Sequence, residues 1–290
     1  MNDDVEEGET TPQEADWEQI ARDIQSPAII ISACRRSGKT YLTRDILNKM
    51  GPILKWDCAL LVSETSDFNS DFDYIPEQFK YNHLDQDLIQ KFVEQQEKTM
   101  KQYKAMKQKN QSYDKEPSSI LMIFDDVAHD KKVFHSEVLG KLFILGRHVR
   151  ISVIFLTQHL HALAPKFRNN ADVICTFRDP NWHNRKCLED GFCTLSVGNR
   201  KLVQRYIDDC LGEAYRCVVV CMYKVQQATT MSDYIHTYKA AENPPAFKLG
   251  QPVFWRDSKC TMSGTSKKSF NLDDDYREKF DKTYSKKILE

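Results

Sequence analysis

The sequence contains no apolar run near the ~18–20 residues that a membrane-spanning helix needs. Its longest apolar runs, at Ile151–Leu156 and Cys217–Tyr223, have the length of β-strands. The nine cysteines are odd in number and include no CxxC pair, which favours a reducing compartment over a disulfide scaffold. The first 18 residues contain no Lys or Arg, so we expect no secretory signal there, because such a signal begins with positive charge.

The sequence also has almost no net charge, since 41 Lys and Arg oppose 42 Asp and Glu. A global positive field that would attract nucleic acid is therefore absent, and any such contact requires a local basic patch. Eight of the carboxylates lie within residues 1–18. These residues offer little to bury and predict an acidic, disordered tail. Without them, residues 19–290 carry a formal charge of about +7.

Short apolar runs rich in β-branched residues alternate with segments of helical periodicity along the middle of the chain. This alternation predicts an α/β domain over residues 19–240, with a mostly parallel central sheet flanked by helices. One predicted helix, Tyr41–Met50, is expected to end at Gly51-Pro52. We expect the Lys/Gln-rich residues 94–118 to form a solvated insertion, as a helical extension or a loop, and residues 241–290 to form a weakly ordered tail. The predicted strands are Ala28–Ser32, Cys58–Ser63, Ile120–Phe124, Ile151–Leu156, Ala171–Phe177 and Cys217–Tyr223.

Residues 33–40 read ACRRSGKT and lie between a predicted strand and a predicted helix. They match the phosphate-loop pattern GxxxxGK[ST], or Walker A motif, except that Ala33 stands at the first glycine. In such a loop, backbone N–H groups and a helix N-terminus hold phosphate. Lys39 would reach the β and γ phosphates of ATP, and the Thr40 hydroxyl would bind Mg²⁺. The predicted nucleotide-binding residues are Ala33, Cys34, Arg35, Arg36, Ser37, Gly38, Lys39 and Thr40.

Two adjacent carboxylates, Asp125 and Asp126, follow the predicted strand at residues 120–124. Two acids at the end of a buried strand are costly unless they meet a cation or a proton-transfer partner. In a nucleotide hydrolase, Asp125 would pair with Lys39 and hold Mg²⁺ through water, and Asp126 would orient the attacking water. A helix N-cap would explain one of these residues but not both.

Residues 146–158 read GRHVRISVIFLTQ, in which Gln158 at the tip of a strand follows Arg147 by eleven residues. This unit and the acidic pair resemble the FtsK/HerA superfamily of DNA-pumping ATPases, and within it the poxvirus-type genome-packaging ATPases of large DNA viruses. The resemblance covers about Pro27–Gln158, with a weaker continuation to about Trp255. Many NTPases share the phosphate loop, so the Arg–strand–Gln unit is the more specific signal.

The resemblance implies a P-loop NTPase fold of the RecA/ASCE-like type, in which Gln158 senses the γ-phosphate. It also implies that Arg147 is an arginine finger for the nucleotide of the adjacent subunit. From the residues alone, Arg147 is equally explained as a surface cation near a helix C-terminus, and Gln158 as a strand-end hydrogen bond. Asp126 stands where the superfamily usually has Glu, so its shorter carboxylate must lie nearer the water.

The function implied by the resemblance is an ATP-driven translocase that packages double-stranded viral DNA into a capsid. Its expected partners are DNA, further copies of the chain in a hexameric or pentameric ring, and a capsid or portal component. We expect it in the host cytoplasm or the virion. A cellular or plasmid DNA pump and a non-hydrolysing nucleotide-binding protein remain alternatives, whereas Gln158 argues against a small-molecule kinase. The residues favoured for DNA contact are Arg168, Arg178, Arg185, Lys186, Arg200, Lys201 and Arg205.

Overall fold

The computed structural model describes residues 11–65, 71–109, 116–127, 133–193 and 200–256. Strands and helices alternate along most of this length, as the sequence predicts. The strands are β1 (Ala28–Ser32), β2 (Cys58–Ser63), β3 (Lys80–Tyr81), β4 (Ile120–Asp125), β5 (Ile151–Thr157), β6 (Val173–Phe177), β7 (Arg216–Cys221) and β8 (Ile235–Lys239). The α-helices are α1 (Trp17–Asp23), α2 (Lys39–Leu54), α3 (Gln86–Gln108), α4 (Glu137–Leu145), α5 (Pro165–Arg168), α6 (Trp182–Phe192), α7 (Arg200–Cys210) and α8 (Val253–Arg256).

The strands form one sheet in the order β3-β2-β4-β5-β1-β6-β7-β8. The first six strands in this order pair in parallel. The last two pairings, β6 with β7 and β7 with β8, are antiparallel. The predicted α/β class with a mostly parallel sheet is therefore confirmed. Every residue of β1, β2, β4, β5 and β6 is buried, as expected for parallel strands covered on both faces.

The strand directions bring the carboxyl ends of β1, β4, β5, β6 and β8 to one edge of the sheet, together with the beginning of β7. Open α/β sheets bind ligands at this edge, because the connections leave a crevice between neighbouring strands. The segment after β1, the residues after β4 and the residue after β5 all lie there. Within the part of the chain described above, no helix is long and apolar enough to cross a membrane.

The expected disordered tail of residues 1–18 is wrong for residues 13–18. Ala15 donates its backbone N–H to the Thr237 carbonyl at 2.9 Å, so this segment runs beside β8. Asp16 caps α1 by accepting from Gln19 N at 3.0 Å. Trp17 is only 1% exposed and packs edge-on against Tyr238. One buried tryptophan and a helix cap therefore order a stretch whose charge predicted disorder; residues 1–10 lie outside the described residues.

The helix expected to end at Gly51-Pro52 runs to Leu54, with Pro52 inside its last turns.

Residues 94–108 continue α3, so the structure has the helical extension that was one of the two expectations for the segment 94–118. Within α3, buried Gln96 donates to the carbonyls of Ser118 at 2.8 Å and Val149 at 3.0 Å. These bonds tie the helix to the amino edge of the sheet, and residues 110–115 lie outside the described part.

The weakly ordered tail expected over residues 241–290 is wrong for its first part. Phe247 stacks on Tyr74 with ring centroids 4.7 Å apart, and Leu249 is buried. Gln251 Nε2 donates to Asp57 Oδ1 at 2.7 Å. Aromatic and amide anchors spaced along the segment therefore fasten it to the domain, although the segment has no helical or strand periodicity. Residues 257–290 lie outside the described residues.

The buried position of Trp17 generates a stability prediction. Trp17→Ala should lower the free energy of unfolding by about 3–5 kcal/mol, because it removes a large buried ring and leaves a cavity. Urea denaturation would measure the change. Glu18→Ala is the control, since Glu18 forms only an exposed pair with Arg22 and should change stability by less than about 1 kcal/mol. Equal, small effects of both substitutions would show that the N-terminal segment is not part of the folded domain.

Candidate active site

The phosphate loop leaves β1 in an extended conformation and then turns sharply. Ala33 donates its N–H to the Thr157 carbonyl at 3.0 Å, so it continues the pairing of β1 with β5. An extended position does not need the conformational freedom of glycine, which explains why alanine is accepted there. The turn that follows requires positive φ at Arg36 (62°) and Gly38 (100°). Ser37 Oγ closes it by donating to the Cys34 carbonyl at 2.6 Å.

The helix α2 begins directly after this turn, at Lys39. Its N-cap is Gly38, which has no side chain to accept the first N–H groups. Free N–H groups and the positive end of the helix dipole therefore face the turn of the loop, an arrangement suited to phosphate. The predicted loop residues thus lie together, with Thr40 in the first helical turn.

Lys39 and Asp126 form the central ion pair of the site, with Lys39 Nζ 2.7 Å from Asp126 Oδ1. The expected pairing of Lys39 with Asp125 is therefore wrong. Asp125 is the last residue of β4 and accepts a hydrogen bond from Ser63 Oγ of the adjacent strand β2 at 3.1 Å. Asp126 has a φ of 46°, and it is this carboxylate that reaches Lys39.

Gln158 contacts the same carboxylate from the neighbouring strand end. Its Nε2 donates to Asp126 Oδ2 at 3.3 Å. The structure therefore brings Lys39, Asp126 and Gln158 together, as expected from their positions after β1, β4 and β5. Each oxygen of Asp126 has one donor, a cation on one side and an amide on the other.

Burial and the charge of Asp126 raise the pKa of Asp125 from 3.8 to about 6, although Lys39 and the Ser63 hydroxyl oppose this rise. A divalent cation beside the carboxylate would favour its charged form. Mg²⁺ is usually held by one or two carboxylates together with substrate phosphates and water, rather than by a cage of protein ligands. The donor set at this edge, the Thr40 hydroxyl and the Asp125 carboxylate, fits that preference.

Arg147 lies at the opposite edge of the sheet from the other predicted site residues. It belongs to a short 3₁₀ turn, Gly146–His148, that precedes β5. The seven residues of β5 separate it from Gln158 by roughly 20–25 Å at ~3.3 Å per residue. The exposed Arg147 side chain donates to His148 Nε2 at 3.3 Å. Within one subunit, Arg147 therefore cannot reach the site that contains Gln158.

Asn184 is a buried contact of the site that sequence reasoning missed. Its Nδ2 donates to the Gln158 carbonyl at 3.0 Å and to Asp179 Oδ2 at 2.7 Å. Its Oδ1 accepts from the His161 N–H at 3.2 Å. Asn184 lies on α6, 26 residues after Gln158, so no sequence spacing indicates the contact. Only the Asn181 side-chain cap at the start of α6 was a local signal for the helix.

The basic residues expected to contact DNA are largely occupied within the subunit. Arg178 donates to the Leu211 carbonyl at 2.7 Å, and Arg185 pairs with Asp208 at 2.9 Å. Lys186 lies over the exposed ring of Trp182, 5.2 Å from its centroid. The pair of Arg185 and Asp208 joins α6 to α7, so the arginine-rich stretch contributes to packing as well as to surface charge.

A cleft of about 1200 Å³ contains the loop, the acidic pair and Gln158. It continues past them to Phe177, Tyr215 and residues 239–243, which sequence reasoning did not assign to the site. These residues lie beyond β1 on the side away from the acidic pair, at the carboxyl ends of β6 and β8 and the beginning of β7.

Residues 25–208 match the protein family described as the Poxvirus A32 protein. This match covers more than half of the 290 residues. The chain belongs to the poxvirus A32 protein family. The resemblance based on the phosphate loop, the acidic pair and the Arg–strand–Gln unit is thereby confirmed. The A32 match includes every predicted site residue and ends within α7, before Tyr215.

Relatives of this A32-family chain occur in Invertebrate iridescent virus 6 and in Frog virus 3. Protein 075L of Invertebrate iridescent virus 6 is 30% identical over 159 residues, which are 54% of this chain and 57% of that protein. Protein 015R of Frog virus 3 is 24% identical over 247 residues, or 84% of this chain and 71% of that protein. The chain thus matches little more than half the length of the iridescent virus 6 protein.

Among solved structures, the genome packaging NTPase B204 from Sulfolobus turreted icosahedral virus 2, in complex with ATP-gammaS, is similar to this chain. Its TM-score is 0.45 and its sequence identity is 16%, over 74% of this chain and 97% of B204. The conjugation coupling protein TcpA of pCW3 has a TM-score of 0.46 and 16% identity, over 68% of this chain and 58% of TcpA.

The raised pKa of Asp125 generates a second stability prediction. A carboxyl whose pKa is higher in the folded state than in the unfolded state binds its proton more tightly when folded, so stability falls as the pH rises from about 4 to about 6. Asp125→Asn should therefore raise the free energy of unfolding at pH 8 by about 1–3 kcal/mol. Denaturant unfolding at pH 4 and pH 8 would measure this difference.

Asp126→Asn is the matched control for that experiment. Asp126 is more exposed than Asp125 and is neutralised by Lys39, so its removal leaves Lys39 without its partner and should not increase stability. If Asp125→Asn did not increase stability at pH 8, the carboxylate would not be strained by burial.

Proposed function

We propose that this A32-family protein is an ATPase whose hydrolysis of ATP with Mg²⁺ drives double-stranded DNA into a viral capsid. The observation that carries the proposal is the contact of one carboxylate, Asp126, with both Lys39 at 2.7 Å and Gln158 at 3.3 Å. A protein that only binds nucleotide needs the loop, but it has no use for a carboxylate and an amide beyond it. Hydrolysis needs the carboxylate to orient water and the amide to sense the terminal phosphate.

The ion pair between Lys39 and Asp126 suggests how hydrolysis is coupled to binding. Without nucleotide, Lys39 neutralises Asp126 and holds it in place. When the triphosphate occupies the loop, Lys39 contacts the β and γ phosphates instead of Asp126. Asp126 then keeps only its hydrogen bond from Gln158. The freed carboxylate then accepts a hydrogen bond from the attacking water, and Gln158 contacts both the carboxylate and the γ-phosphate. Asp126 is thus available to water only when substrate is bound.

Thr40 and Asp125 are the residues that would hold Mg²⁺. When bound, the metal would neutralise the charge that develops on the phosphoryl oxygens. A bound cation would stabilise the charged form of Asp125, because it would replace the solvation that burial removes from this carboxylate. The Ser63 hydroxyl, 3.1 Å from Asp125 Oδ2, holds one oxygen of the carboxylate in place.

Asn184 extends this network toward the protein surface. It binds the backbone of Gln158 and the backbone of His161, so a shift of Gln158 on phosphate release would be transmitted to α6. That helix carries the exposed ring of Trp182 and the cation of Lys186. We infer that α6 moves with the hydrolysis cycle and contributes to the DNA-handling surface.

The position of Arg147 leads us to infer that copies of the chain assemble. Since it lies at the edge opposite its own site, it can complete only the site of a neighbouring subunit. Such a head-to-tail contact repeats until a ring closes, and we propose a pentamer or a hexamer with DNA in its centre. A capsid or portal component would dock the ring, in the host cytoplasm or the virion.

The first test of the proposal is the ATPase rate with and without long double-stranded DNA. We expect stimulation by DNA in the wild type and a fall of about 10²-fold or more in Lys39→Ala and Asp126→Asn, because each removes a charge used in the transition state. Arg22→Ala, which removes an exposed cation near the C-terminus of α1, is the control. Hydrolysis that does not respond to DNA would contradict the translocase proposal.

The second test mixes two inactive variants. Arg147→Ala keeps an intact site but lacks the finger, whereas Asp126→Asn lacks the site but keeps the finger. In a 1:1 mixture, about a quarter of the subunit contacts join an intact site to an intact finger, if the subunits assort randomly. The mixture should therefore recover about a quarter of the wild-type rate. Activity of Arg147→Ala alone at the wild-type rate would show that Arg147 is only a surface cation.

A further inference from the structure

The part of the cleft beyond the phosphate loop carries a feature that the proposed hydrolysis does not use. Tyr215 precedes β7, is 65% exposed and has a φ of 63°. A bulky aromatic residue is rarely found at positive φ, because its Cβ crowds the backbone. An exposed ring in a strained backbone conformation does not stabilise the domain. Its position therefore points to a ligand.

Tyr215 and Phe177 both lie close to the glycine of the phosphate loop. A Cβ built on Gly38 would lie 3.7 Å from Tyr215 Cδ1 and 3.8 Å from Phe177 Cε1. Phe177 is the last residue of β6, and Tyr215 lies just before the antiparallel strand β7. The two rings thus border the loop that would hold phosphates, on the side away from Asp125 and Asp126.

Ion pairs hold Tyr215 in this position. Its neighbour Arg216 contacts Glu213 at 3.3 Å and Glu14 at 3.5 Å. Lys239, at the end of β8, contacts Glu213 at 3.5 Å. The charge of Arg216 and the hydrogen bond from Lys239 lower the pKa of Glu213. The segment that contains Tyr215 is thus held by ion pairs on both sides of this residue. Tyr215 therefore does not need packing of its own ring to remain in place.

The opposite wall of the cleft is fixed to the same helix as the phosphate loop. Asp45, buried in α2, accepts hydrogen bonds from the Tyr238 hydroxyl and from the Ala241 N–H at 3.2 Å. These bonds hold residues 239–243 beside the first turns of α2. Glu242 and Asn243 line the cleft there, so the cleft has polar groups as well as aromatic rings in its lining.

We propose that Tyr215 and Phe177 form a stacking platform for a purine base, and that the site therefore selects purine nucleoside triphosphates. This inference rests on the proposed nucleotide site and extends it to the base. The platform lies beside the loop but opposite the acidic pair, which is where a base must lie when the γ-phosphate faces Asp126 and Gln158. A purine presents more π surface to a tyrosine ring than a pyrimidine does.

The test is equilibrium binding of non-hydrolysable ATP and CTP analogues and of inorganic tripolyphosphate, measured by calorimetry. Stacking of a base on an aromatic ring predicts that Tyr215→Ala weakens ATP-analogue binding about 10–100-fold. Binding of tripolyphosphate, which has no base, should not change. Tyr215→Phe keeps the ring and should restore ATP-analogue affinity, and the wild type should bind the ATP analogue more tightly than the CTP analogue.

Tyr41→Ala is the competing variant, because Tyr41 is also exposed and lines the cleft but lies in the first turn of α2. Loss of affinity in Tyr41→Ala with none in Tyr215→Ala would overturn the inference, and so would an equal loss of tripolyphosphate binding in Tyr215→Ala. In both cases, loss of probe binding in Lys39→Ala would still support the proposed nucleotide site at the phosphate loop. Failure of the wild type to bind any of the three probes would overturn the site and the inference together.

Discussion

The parallel pairing of β1, β4 and β5 is the constraint on which the site depends. β1 pairs with β5 so that Ser32 lies opposite Thr157, and β5 pairs with β4 so that Leu156 lies opposite Asp125. A shift of one residue in either pairing would turn the side chains of that strand to the other face of the sheet. The registers therefore bring the loop, the acidic pair and Gln158 to the same level at one edge. The hydrogen bonds among their side chains follow from that alignment.

The same edge stores unfavourable electrostatic energy. Asp125 is buried with a raised pKa, Asp126 and Arg36 have positive φ, and Lys39 is nearly buried beside Asp126. In a domain stabilised by its apolar sheet, these are the positions that cost stability. Nucleotide and metal would relieve the two charged positions, since phosphate would pair with Lys39 and a cation would pair with Asp125. Ligand binding would therefore be coupled to local stability at this site.

Position in the sheet also separates Arg147 from the other residues proposed for the site. Gln158 and Arg147 are close in sequence, yet β5 carries them to opposite edges. The residues proposed to hold and sense phosphate lie together in one subunit, whereas Arg147, proposed to complete the transition state, does not join them. In the proposed ring, assembly would thus control hydrolysis.

The sequence determined the strands β1, β2, β4, β5, β6 and β7, but not β3 or β8. It also determined the phosphate loop, the acidic pair and Gln158, because their signals are local: apolar runs of strand length and polar residues directly after them. It did not determine that Lys39 contacts Asp126 rather than Asp125, since that choice depends on the backbone turn after β4. Nor did it indicate Trp17, Asn184 or Tyr215. Trp17 lies in a stretch whose charge predicted disorder, and the contacts of Asn184 and Tyr215 are made by residues distant in sequence. Such contacts follow from the order of strands in the sheet and the packing of helices over it, so only the tertiary structure decided them.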